Sequence, residues 1–144
     1  MISLASAHAG FPLKEFIKEK LLAWGYEVVD RGCNSLDSAS YVSHGALAAR
    51  DVADGRSTCA ILVCGTGLGI SMAANKIGGI RCALCTNEYM AHMSRLHNDA
   101  NVLALGARVV GTGLAEDIVK IFLDTPFEGG RHAERVATLM DLEQ

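Results

Sequence analysis

An α/β fold is predicted, with a mostly parallel five-stranded sheet covered by helices on both faces. Three observations predict it. Short apolar runs alternate with amphipathic segments along the 144-residue chain, the order expected of a parallel sheet. One run, "CAILVC" (59–64), is apolar without a break, as in a strand whose two sheet faces are both covered. Directly after it, a glycine-rich turn from Gly65 to Gly69 leads into a helical segment. Ligands of such folds sit outside the carboxyl ends of the strands, where the strand order reverses.

The elements follow in order. "ISLA" (2–5) is a short apolar strand. "LKEFIKEKLLAW" (13–24) places Leu13, Phe16, Ile17, Leu21 and Trp24 on one helical stripe, and Gly25 stops it. "EVVD" (27–30) is the second strand, and residues 31–43 form a long polar loop. "HGALAARDVADG" (44–55) is the second helix, ended by Gly55. After the strand 59–64, a helix runs from about Leu68 to Lys76. "IRCALC" (80–85) is the fourth strand, with a helix over 87–97. "NVLAL" (101–105) is the fifth strand. "LAEDIVKIFL" (114–123) is amphipathic. A last helix over 134–144 carries Val136, Leu139 and Met140 on one face. It has little sequence after it to pack on, so it is expected to dock on the domain or on a second subunit. No linker, repeat or low-complexity segment interrupts the chain, so residues 1–144 are expected to form one domain.

Composition excludes several function classes. Half of the residues are hydrophobic, with 50% in that class and 20% charged, so a packed domain is expected. A net charge of -3 gives no bulk electrostatic case for nucleic acid or an anionic membrane. No apolar run approaches the roughly 20 residues of a membrane span. The first residues, "MISLASAHAGF", have no basic region ahead of an apolar stretch, so no secretion signal is expected. The cytoplasm is the expected compartment. The five cysteines, Cys33, Cys59, Cys64, Cys82 and Cys85, are then expected as reduced thiols. Cys82 and Cys85 form C-x-x-C, but residues three apart on a strand face opposite sides. That spacing argues against a zinc or redox pair.

The glycine turn carries the most chemistry. Gly65, Gly67 and Gly69 spell G-x-G-x-G. The dinucleotide fingerprint and the Walker loop each need a glycine where Ile70 stands. A cysteine-dependent phosphatase needs an arginine at the end of the loop that Cys64 begins, and Leu68, Ile70, Ser71 and Met72 supply none. What remains is a hole for an anion: bare backbone N–H groups, together with the N-terminus of a helix starting near Leu68. If the anion develops during reaction, as an enediolate does, the hole stabilises the transition state. A thiol beside a helix N-terminus ionises more readily and serves as base or nucleophile. The alternative for Cys64 is a small buried hydrophobe in a tight turn. The three glycines and Thr66 directly behind it favour the chemical role.

Other polar residues cluster where a site needs them. His8 follows the first strand, and His97 and Asn98 precede the fifth. Arg131 and Arg135 are four apart and share a face if the segment is helical. Two arginines on one face suit a phosphate. Taken singly, each has an ordinary reading: a loop histidine, a helix-ending histidine, a solvated charged face and, for Tyr41, a surface loop tyrosine.

Together, "CGTGLGISMAANK", "SRLHNDANVLALGARVVG" and "EGGRHAERV" resemble the ribose-5-phosphate isomerase type B family, which includes galactose- and allose-6-phosphate isomerases. The resemblance spans nearly the whole chain. It implies a Rossmann-like three-layer α/β/α sandwich acting as a homodimer, often assembled further, with active sites built from two subunits. It implies isomerisation of a sugar phosphate between aldose and ketose, with no metal and no cofactor. Cys64 would be the base that moves a proton between C1 and C2, with Thr66 assisting proton transfer to oxygen. Gly65, Gly67, Leu68 and Gly69 would hold the enediolate, with Ser71 near the substrate. His97 would help open the sugar ring and Asn98 would contact the substrate. His8, Arg108, Arg131 and Arg135 would hold the phosphate end, and Tyr41 would lie beside the sugar.

The pattern departs from the family at one place that matters. The family usually carries Asp-His-x-Gly after the first strand, and this chain has Ala7-His8-Ala9-Gly10. Ser40 and Val42 also stand where an acidic residue and a proline are common. The missing carboxylate leaves three explanations open: ribose 5-phosphate is still the substrate, handled less efficiently; the substrate is another sugar phosphate, a hexose 6-phosphate or a four-carbon sugar phosphate, which cannot close a furanose ring; or Ala7 is a deliberate substitution. Ala7 also keeps open a non-catalytic sugar-phosphate-binding module.

Overall fold

The structure, a computed structural model, describes residues 1–32 and 41–143. Cys33 and Ser40, and most of the expected polar loop, lie outside the described residues. Five strands form one sheet: β1 (Ile2–Ser6), β2 (Val28–Asp30), β3 (Cys59–Cys64), β4 (Cys82–Leu84) and β5 (Val102–Gly106). Their order is β2-β1-β3-β5-β4, and every pairing is parallel. In register, Leu62 at the centre of β3 faces Ala5 of β1 and Ala104 of β5.

The helices are α1 (Phe11–Ala23), α2 (Tyr41–Ala53), α3 (Leu68–Asn75), α4 (Glu88–Leu96), α5 (Thr112–Asp124) and α6 (Arg131–Met140). Helices α1, α4 and α5 share one face of the sheet, and α2 and α3 pack together on the other. Alternation along the strands sorts the core accordingly. Ile2, Leu4, Ile61, Val63, Leu103 and Leu105 meet Leu13, Ile17, Ile118 and Phe122 on the first face. Ala5, Ala60, Leu62 and Ala104 meet Ala48, Ala49, Ile70 and Ala74 on the second. The small residues there let α2 lie close to α3: a Cβ on Gly45 would stand 2.7 Å from Cγ1 of Ile70. Each large side chain fully buried in these layers contributes roughly 1.5–3 kcal/mol.

The expected order of strands and helices is present, with shifted ends. Pro12 in the first turn, with its preset φ, lets α1 begin at Phe11, ahead of Leu13. Gly25 and Gly55 follow α1 and α2 with φ of +91° and +80°, the left-handed conformation that ends a helix. Helix α2 starts at Tyr41, so Tyr41 is a first-turn helical residue instead of a loop tyrosine. Helix α6 starts at Arg131 and ends at Met140, earlier at both ends than the apolar spacing suggested.

Charged side chains supply the contacts that hydrophobic spacing does not reveal. Lys14, fully buried, donates to both carboxylate oxygens of Asp30 at 2.8 Å, tying α1 to β2. Asp51, also fully buried, accepts from Ser3 Oγ at 2.8 Å and from Arg31 Nε at 2.7 Å. Cys82 and Cys85 pack against opposite core layers, as their spacing requires. Among the described residues, no helix is long and apolar enough to cross a membrane.

Candidate active site

Strand β1 connects through α1 to β2 on one side, and β3 connects through α3 toward β4 on the other. The crevice at the carboxyl ends of these neighbouring strands is the reversal point of the sheet. Cys64, the last residue of β3, stands there, with 6% of its surface exposed. The N–H of Gly67 donates to Cys64 Sγ at 3.1 Å, which orients the sulfur. The N–H of Leu68 donates to Thr66 Oγ1 at 3.1 Å. Gly69 and Ile70 lie in the first turn of α3, where N–H groups have no partner inside the helix. Gly67 has φ of +83°, and a Cβ on it would meet Leu84 Cδ1 at 2.4 Å and the Leu105 carbonyl carbon at 3.0 Å. The turn therefore needs glycine there both for its conformation and for its space.

Neighbouring loops close around this turn. The Arg108 N–H donates to Gly65 O at 2.9 Å, and a Cβ on Gly65 would lie 3.4 Å from Arg108 Nη1. The Arg108 guanidinium thus lies against bare glycine backbone. A Cβ on Gly69 would lie 2.8 Å from the Tyr41 ring, which places that ring against the start of α3. His8 begins a short 3-10 turn, His8–Gly10, after β1 and is exposed. Ala7 precedes it and is partly buried against the α2–α3 layer. Ser71 is buried, and its hydroxyl donates to Leu68 O at 2.7 Å within the helix's own first turn.

The remaining expected residues lie elsewhere. His97 caps the end of α4, and Asn98 follows it, before β5. In a parallel sheet, the end of a helix lies beside the amino ends of the strands. Cys64 lies at the carboxyl end of a six-residue strand, about 20 Å in length. Arg131 and Arg135, both on α6, accompany His97. His97, Asn98, His132, Arg135, Val136 and Leu139 line a pocket of about 210 Å³. One chain therefore holds two separate clusters. His8 and Arg108 are near Cys64, while Arg131 and Arg135 are near His97, so the four basic residues cannot meet one phosphate within a single chain.

His132 is the residue that sequence reasoning missed. It is buried, and its ring stacks on His97 with centroids 4.0 Å apart and planes 10° apart. Glu128 Oε2 stands 3.5 Å from His97 Nε2 and 3.9 Å from His132 Nε2. The donor atoms of His97, Glu128 and His132 lie within 4.8 Å of one another. An ion shared by two rings stacked at this distance would sit out of both ring planes, away from the nitrogen lone pairs. The arrangement suits a proton better than a metal.

Residues 2–139 match the family model described as Ribose/Galactose Isomerase. The chain is 46% identical over 143 residues to ribose-5-phosphate isomerase B of Escherichia coli (strain K12), covering 99% of this chain and 96% of that protein. It is 52% identical to the solved ribose-5-phosphate isomerase B of Clostridium thermocellum, with a TM-score of 0.97 and coverage of 99% and 96% of the two chains. The Mycoplasma genitalium ribose-5-phosphate isomerase B, solved with bound ribulose 5-phosphate, is 40% identical with a TM-score of 0.93, over 99% and 95% of the chains.

Proposed function

The chain belongs to the ribose/galactose isomerase family and is a sugar-phosphate isomerase, and from that premise we propose that it interconverts ribose 5-phosphate and ribulose 5-phosphate through an enediolate. The observation that carries the reading is the Cys64 thiol at the head of the glycine turn, its sulfur held by the Gly67 N–H. Starting from the aldose, the Cys64 thiolate removes the proton from C2 of the open-chain sugar. Negative charge then develops on O1. N–H groups of the Gly65–Gly69 turn and the first turn of α3 receive it. The same thiol returns the proton to C1, while Thr66 assists transfer between the two oxygens. A positioned base of this kind is worth about 10²–10⁴ in rate.

Two chains complete the site in this reading. A second copy brings His97, Asn98, Arg131 and Arg135 to the Cys64 end of the first, as a homodimer or a dimer of dimers. The separation of the two clusters supports this, because neither cluster alone has base, ring-opening acid and phosphate anchor together. Exposed apolar side chains beside the turn, Leu68 and Met72, at 50% and 64%, offer surface for that contact. The phosphate, remote from the reacting carbons, supplies binding energy that orients them. The cytoplasm is the compartment that suits such an enzyme.

Ala7 favours a second reading, isomerisation of a four-carbon sugar phosphate. Such a substrate has no furanose ring to open, so a ring-opening carboxylate matters less for it. Proton NMR in D2O tests both. Ribulose 5-phosphate formed from ribose 5-phosphate, with solvent deuterium in the product and loss of both in Cys64→Ala, is the expected result. Turnover confined to a tetrose 4-phosphate would replace the first reading with the second. Full turnover in Cys64→Ala would remove the assigned base.

A further inference from the structure

We propose that His132 is a positioning residue for His97: a neutral ring stacked against it, fixing the plane of His97 and leaving to His97 the proton that ring opening needs. The inference rests on the role given to His97 above.

The geometry is stitched from three sides. The Glu128 N–H donates to Leu96 O at 3.0 Å, so the loop carrying the carboxylate is fastened to the turn that precedes His97. The His132 N–H donates to Gly129 O at 3.1 Å, setting the first turn of α6 against the same loop. Gly129 and Gly130, with φ of +74° and +59°, allow that tight path. The result is two parallel imidazoles facing one carboxylate, with the buried ring beneath the more exposed one.

Two protonated rings stacked at this distance would repel, so the pair favours a single proton. The surroundings decide which ring takes it. Burial pushes the His132 imidazole below its usual range, and the His97 ring, Arg131 and Arg135 push the same way, while Glu128 opposes them. These are the charged groups that meet His132 from the end of α4, from the loop and from α6. His132 is buried and stands 3.9 Å from the Glu128 oxygen, which lies 3.5 Å from His97 Nε2, so His132 is the ring of the pair that stays neutral. A flat neutral neighbour restricts the ring's rotation, so the proton is held in one direction rather than swept through a cone.

The test combines two variants with histidine NMR. His132→Phe keeps a flat ring, and His132→Ala removes it. With ribose 5-phosphate, His132→Ala is expected to lose ten- to a hundredfold in kcat with KM little changed, and His132→Phe to recover most of that loss. The ¹⁵N shifts of the free protein are expected to show His132 still neutral where His97 is already protonated. In Glu128→Gln, an exposed change that spares the fold, the His132 midpoint is expected to fall further. Wild-type kcat in His132→Ala would overturn the proposal. So would equal damage in both His132 variants, which would give the nitrogen itself a chemical task. Joint protonation of both rings at one pH would overturn it as well. The titration needs no sugar, so it decides the pairing even if ribose 5-phosphate proves not to be the substrate.

Discussion

Replacing Gly67 with alanine tests the glycine turn as a physical object. The backbone at Gly67 has φ of +83°, and holding an L-residue there costs about 1–2 kcal/mol. The added Cβ would also stand 2.4 Å from Leu84 Cδ1, 3.0 Å from the Leu105 carbonyl carbon and 3.1 Å from the Gly106 nitrogen. Leu84 can swing aside at the sheet edge. The two backbone atoms belong to β5, buried between β3 and β4, and cannot. Overpacking of that kind adds about 1–3 kcal/mol. The sum is a loss of about 2–5 kcal/mol, or roughly 10 °C in Tm for a chain of this size. Urea and thermal unfolding measure it directly. Gly113→Ala is the control: it sits in α5 with nothing near its Cβ, and there alanine stabilises by up to about 1 kcal/mol. Activity in Gly67→Ala should fall further than the folded fraction does, because the N–H groups behind Cys64 move with the turn. A Gly67→Ala protein within about 1 kcal/mol of wild type, an ordinary surface effect, would refute the packing described at the ends of β3 and β5.

Arg131→Ala and Arg135→Ala should each weaken substrate binding by about 1.5–3 kcal/mol, the worth of a charge-assisted contact, and appear as a raised KM with little change in Tm. Unchanged kinetics in both would move the phosphate site elsewhere. Asp51→Asn should destabilise the fold by about 1–3 kcal/mol, because it removes the charge that Arg31 pairs with and turns one of the two acceptor oxygens into a donor, and should leave kcat alone; urea unfolding and steady-state rates separate the two. The pH dependence follows from the same residue. The Arg31 guanidinium holds the Asp51 carboxyl below the usual carboxylate range, against the effect of burial. Its stabilisation is therefore full above about pH 4 and is lost as pH falls through the folded-state value. Urea midpoints taken downward from about pH 5 should show a steeper decline in wild type than in Asp51→Asn.

Much of this was legible in the residues. The unbroken apolar run of β3, the alternation of strands and helices, and the glycines that stop α1 and α2 are local signals, and they located the crevice where Cys64 stands. The burial of Lys14 and Asp51 was not legible. A charged residue enters a core only when a partner distant in sequence meets it, and no spacing rule announces Asp30 or Arg31. His132 stood inside a quoted motif, yet its value depends on the fold of the loop 125–130, which sets its ring on His97. The division of the site was readable in principle. Cys64 ends a strand, His8 and Arg108 follow strands, and His97 ends a helix, so a parallel sheet must send them to opposite ends.

That division has a consequence in genetics. Cys64 and His97 lie at opposite ends of each chain, so the proposed site is the property of no single polypeptide. A chain that loses Cys64 and a chain that loses both His97 and Arg135 would each fail among their own kind. In a mixed pair, one site collects both lesions and the other collects none. Random pairing of two such chains should restore about a quarter of wild-type activity. Two alleles that each fail alone would then sustain growth together, whereas two lesions in the same half-site would not.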